Sequence, residues 1–145
     1  MTDLINKLTE VFNTNFVAYY RTHVSHVNIV GRNFYSDHKL LQKIYEELQG
    51  DIDTIAEFIR TLEAVMPESL ATVIDGSKID DLDVFGSADD LLASVLTDLT
   101  TLISLYRELE ELADEADEDQ IGNFAQDRET VFTKFSWMLR ATLEE

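Results

Sequence analysis

Apolar residues recur at helical spacing along nearly the whole chain. A first run carries Leu4, Leu8, Val11, Phe12, Phe16 and Tyr19 and continues to about Val30, where Gly31 supplies a C-terminal stop. A second starts near Ser36 and carries Leu41, Ile44, Tyr45, Leu48, Ile52, Ile55, Ile59, Leu62 and Met66, and Pro67 ends it. From Glu68 to Gly86 the pattern weakens into a connection that holds Gly76 and a short amphipathic piece, Ile79 to Leu82. Ser87 then reads as an N-cap, with Asp90 at the capping-box position. A third run carries Leu92, Val95, Leu96, Leu99, Leu102, Ile103, Tyr106 and Leu109, and fades near Asp117. A fourth carries Phe124, Val131, Phe132, Phe135, Met138 and Leu139 and ends at Leu143.

Four helices of about 25 residues, with a short, a long and a short connection, predict an all-α four-helix bundle. The long middle link lets the second and third helices run parallel, as in a ferritin-like bundle with one crossover, and it has room for a short helix. At 145 residues the chain reads as one domain, residues 1–145, large enough to bury a core.

Composition narrows the function. With 45% apolar residues, the excess of 29 acidic over 11 basic side chains is not that of a disordered tail. A net charge of −18 argues against duplex nucleic acid as a partner, since such binding runs on Lys and Arg. The absence of cysteine excludes disulfides, iron–sulfur clusters and thiol nucleophiles. No basic leader and no apolar stretch of about 20 residues is present, which predicts a cytoplasmic protein with no membrane partner.

The three histidines, His23, His26 and His38, lie around the first interhelical corner. His38, Gln42, Asp53 and Glu57 fall within an arc of about 100° on the second helix, and Asp53 and Glu57 are one turn apart. His38 and Asp53 are nonetheless separated by ~22 Å of helix rise, so one straight helix cannot bring both to one ion. Antiparallel pairing sets His26 beside His38 and Gln42. The result is two half-sites, which a two-fold axis midway along this face would combine into two complete sites per dimer. Imidazole and carboxylate together suit iron, and also zinc or manganese.

These residues resemble the Dps family of ferritin-like mini-ferritins, whose pattern is a His, eleven residues, a second His, fourteen residues, an Asp, three residues and a Glu. His26, His38, Asp53 and Glu57 keep every spacing, and the ending Phe135-Ser-Trp137-Met138-Leu139-Arg140-Ala141 is also similar. The resemblance implies a hollow dodecamer that oxidises Fe(II), commonly with hydrogen peroxide, and otherwise with O2. It implies ferroxidase centres between subunits, built from His26 and His38 of one chain and Asp53 and Glu57 of its neighbour, and a ferric mineral stored inside.

Three positions depart from the family pattern. Gln42 stands where an acid is usual, leaving the second iron position open, with Glu46 or Asp37 as nearby acids. Val27 stands where Trp is common, with Tyr19, Tyr20 and Tyr45 as the neighbouring aromatic residues. Asp37 replaces the usual Leu and is placed either to orient an imidazole or to cap the helix. Family resemblance also suggests Asp117, Asp119 and Asp127 as acids lining pores, within or just beyond the acidic run from Glu108 to Asp119. Neither end of the sequence is a basic arm, so strong DNA binding is not expected. Two other readings are a shell with one functional iron position per site and an acidic helical interaction protein without metal chemistry.

Overall fold

The computed structural model describes residues 1–144. Five helices follow in order: α1 (Thr2–Asn28), α2 (Phe34–Thr61), α3 (Leu70–Asp75), α4 (Ala88–Glu115) and α5 (Asp119–Leu143). The four long ones form the expected bundle, in which α1 packs on α2 and α4, and α4 on α5. Their apolar stripes meet in one core, where Leu8, Leu41, Ile44, Leu48, Ile55, Leu99, Tyr106 and Phe132 are fully buried. No helix among the described residues is long and apolar enough to cross a membrane.

The short helix lies earlier in the connection than the amphipathic pattern suggests. Residues 79–82 are not helical; the helix is α3, capped by the Ser69 hydroxyl accepting from the Thr72 amide. One amphipathic turn is too short to nucleate a helix. Here it is held open instead: the Lys78 amide donates to Thr14 Oγ1 and Ile79 is buried in the core.

Helix α2 stops five residues before Met66. Glu63 takes a left-handed conformation (φ 64°), while the Glu63 and Ala64 amides donate to the Arg60 and Ile59 carbonyls. That is a Schellman closure without glycine. Asp117 (φ 57°) closes α4 in the same way, with the Glu118 amide on the Ala113 carbonyl. At the other end of α4 the Ser87–Asp90 capping box forms as expected.

The crossover is strapped down by Arg21. Its Nε donates to Asp98 Oδ2 at 2.9 Å, Nη2 to Ser94 Oγ at 2.8 Å, and Nη1 to the Leu82 carbonyl at 2.9 Å. Asp98 keeps only 6% of its side chain exposed, and burial raises its pKa against the pull of Arg21. Replacing Arg21 with alanine leaves that carboxylate buried and unpaired, an expected loss of about 3 kcal/mol. Chemical denaturation measures the loss, and limited proteolysis should show faster cleavage within residues 76–86.

Candidate metal centre

The corner between α1 and α2 brings His26 and His38 face to face. Gly31 (φ 128°) permits the tight reversal, and Ile29 is buried beneath it. The two imidazoles then clasp reciprocally: His26 Nδ1 donates to the His38 carbonyl at 2.8 Å, and His38 Nδ1 to the His26 carbonyl at 2.7 Å. Carbonyls only accept, so each Nδ1 carries a proton, and in the neutral ring the lone pair is then on Nε2. The rings stack with centroids 3.7 Å apart, which presents the two free edges together. Burial lowers the His26 pKa, against the support of its carbonyl bond, and favours the neutral form a metal needs.

Helix α2 is unbroken from Phe34 to Thr61, so Asp53 stands ~22 Å and Glu57 ~28 Å along it from His38. Both are exposed on its surface. The Glu57 carboxyl is raised by its hydrogen bond to Asp53 and by the charge of Asp53. The two carboxyls are therefore neighbours, and among the described residues no Lys, Arg or His forms an ion pair with either. Among the described residues, no group of three or more His, Asp or Glu side chains converges on one point that could hold a metal. The chain presents an imidazole pair and a carboxylate pair, each with open coordination.

The neighbouring acids do not join the imidazoles. Gln42 Nε2 donates to Glu46 Oε1 at 2.8 Å, so these two side chains face each other. Asp37 is buried, and its carboxyl is raised by burial and by the charge of Asp89. The imidazoles take their orientation from backbone carbonyls, which no residue pattern could reveal. His23 sits behind the pair, hydrogen-bonded through Nδ1 to Tyr19 Oη at 2.9 Å and stacked on Tyr45 with ring centroids 4.2 Å apart.

The acids suggested for a pore have three different settings. Asp119 lines an open depression at the α4–α5 corner with Glu110, Glu111, Asp114 and Glu118. Asp117 is the left-handed residue that closes α4. Asp127 accepts from Arg128 Nη2 at 2.6 Å. Sequence reasoning also missed a charge cluster at Arg128, whose Nη1 reaches Glu47 at 2.7 Å and Asp51 at 3.1 Å.

Known proteins share this architecture. Residues 5–145 match the model of the ferritin-like domain. The chain is 30% identical over 128 residues to a "DNA protection during starvation protein" of Brevibacillus brevis, covering 88% of this chain and 86% of that one. A crystal structure of a Dps protein from Bacillus brevis superposes with a TM-score of 0.93 at 28% identity, over 99% of this chain and 96% of the other. A Vibrio cholerae Dps structure, described as a member of a superfamily of ferritin-like diiron-carboxylate proteins, gives a TM-score of 0.93 at 27% identity, over 99% and 90% of the two chains.

Proposed function

Because the chain belongs to the Dps family of ferritin-like proteins, we propose that it oxidises Fe(II) at sites shared between two copies and stores the ferric product in a hollow dodecamer. The observation that carries this reading is the reciprocal His26–His38 clasp, which ties up both Nδ1 atoms and leaves both Nε2 atoms unengaged. Such a pair binds a borderline divalent cation, and carboxylates favour the ferric product. Asp53 and Glu57 of a second copy complete the set, because a two-fold axis across α2 lays one chain's carboxylates against the other's imidazoles. Zn(II) and Mn(II) suit the same donors. Hydrogen peroxide is the oxidant of this reading, with O2 as the alternative; consuming Fe(II) and peroxide together removes both reagents that generate hydroxyl radical. The exposed acids at the α4–α5 corner, Asp119 among them, attract Fe(II) from solution.

Two measurements test the reading. Native mass should be about 200 kDa, twelve times the 16.6 kDa chain. Fe(II) with peroxide should develop ferric absorbance in the wild type and not in His26→Ala or Glu57→Ala. A monomer or simple dimer whose oxidation rate ignores both substitutions would instead favour an acidic interaction protein. With −18 per chain, duplex DNA should show no shift in a gel at ~150 mM salt.

A further inference from the structure

We propose that the seam between the first half of α2 and the second half of α5 binds a free medium-chain carboxylate. Its chain lies along Leu40, Val131, Phe135 and Met138, and its carboxylate sits between Lys43 and Lys134.

The bundle leaves this seam open. Helix α2 packs on α1, and α5 on α4, while Arg128 of α5 ties the two together through Glu47 and Asp51. Beyond that tie, toward the start of α2 and the end of α5, runs a groove of about 580 Å³. Small-molecule sites commonly measure about 300–1,000 Å³. The floor is apolar: Leu40, Val131 and Phe135 pack on the core, and Met138 is half-buried beside them. Such a surface favours an apolar occupant over water. The lining covers residues 36–47 of α2, ~16 Å of helix rise, which accommodates dodecanoate in extended form.

The rim is cationic, in a chain of net charge −18. Lys39, Lys43 and Lys134 line the groove. Lys7, Arg21, Lys78, Arg107 and Arg128 are held in ion pairs, whereas among the described residues these three lysines are in none. Lys39 Nζ lies instead 5.6 Å from the centroid of the Tyr35 ring. Glu47, the acid in the lining, is already bound to Arg128 at 2.7 Å.

The Arg128 bonds also fix the register of the two antiparallel helices. Lys134 is six residues past Arg128, and Lys43 is six before the midpoint of Glu47 and Asp51. Each lysine is therefore ~9 Å along its helix from the tie, and the two stand level across the groove. Two unneutralised cations on either side of an apolar floor are complementary to one carboxylate carried on an apolar chain. A bare inorganic anion leaves the floor in water. A helix of about 10–12 Å diameter rides on the rim, whereas a single extended chain reaches the floor.

Calorimetric titration of the assembled protein with octanoate, decanoate and dodecanoate, each kept monomeric, tests this. Affinity should rise ~4-fold per added CH2. Dodecylammonium should not bind. Lys43→Glu combined with Lys134→Glu should weaken dodecanoate binding at least ~10-fold, with melting temperature and native mass unchanged, since both side chains are exposed. Lys78→Glu, outside the groove, should bind as the wild type does. Trp137, the one tryptophan of the chain, adjoins Met138 and is 57% exposed. Dodecanoate brominated at its far end should quench its fluorescence, and unlabelled dodecanoate should restore it. An affinity that ignores chain length, equal binding of dodecylammonium, or undiminished binding in the double variant would overturn the proposal. Binding to anionic phospholipid vesicles but not to monomeric dodecanoate would assign the face to a membrane and overturn it too. Absence of binding by the wild type would also overturn it, and a fall in the native mass of the double variant would then give the groove to a second copy.

Discussion

Two inactive variants, reassembled together, should recover about one quarter of the wild-type ferroxidase sites. The first variant carries His26→Ala and His38→Ala; the second carries Asp53→Ala and Glu57→Ala. Each alone should lose at least ~100-fold in Fe(II) oxidation, since even outer contacts to a metal site are worth 10- to 100-fold. Recovery follows from symmetry. In a mixed dimer one site inherits both defects, and the other combines the imidazoles of the second variant with the carboxylates of the first. Random pairing makes half of all dimers mixed, and half the sites in those are intact. Activity per chain against the mixing ratio, measured after joint refolding, should therefore peak at an equimolar mixture. A mixture no more active than its parents would sink the two-chain site.

Arg128→Met should cost about 3–5 kcal/mol at pH 8 and much less at pH 5. Arg128 is the polar tie between α5 and α2, with only 12% of its side chain exposed. Its guanidinium lies 6.0 Å and 5.8 Å from the ring centroids of Phe124 and Phe132, and it binds Glu47, Asp51 and Asp127. Asp51 is the partner at risk, with 8% of its side chain exposed. Burial pushes its pKa up to about 7, even with Arg128 pulling it down. A carboxyl raised by folding binds its proton more tightly in the native state than in the unfolded chain, where the value is about 3.9. Its contribution to stability therefore falls as pH rises from about 4 to 7. Above that window Asp51 is ionised and depends on Arg128; at pH 5, well below its folded value, the carboxyl is neutral in both folded proteins. Denaturant midpoints at the two pH values read the difference. An equal loss at both would assign the effect to packing of the Arg128 stem, not to the charge it balances.

Much of this fold is legible in the order of residues. The apolar periods locate α1, most of α2 and α4, and the Ser87–Asp90 box marks the start of α4 to the residue. The errors cluster where backbone conformation decides. Glu63 and Asp117 end their helices in a left-handed conformation that usually signals itself by glycine, so apolar Leu62 and Met66 looked like further turns of α2. Helix α5 begins at Asp119, five residues before Phe124, because one buried residue, Ile121, anchors its first turns. Spacing alone brought His26 to His38 and separated both from Asp53 and Glu57. It could not show the carbonyl clasps, which depend on backbone position, or the Arg128 cluster, whose members are 77 and 81 residues apart.

The distance along α2 has a consequence for where chemistry is allowed. Its imidazole end and its carboxylate end never meet within one molecule. On the proposed reading, in which two copies share the site, a newly made or diluted chain should be inert toward iron, and oxidation should begin only above the concentration at which copies associate. Helix α2 would then act as a rigid interlock, withholding the proposed reaction until a container exists to receive its insoluble product.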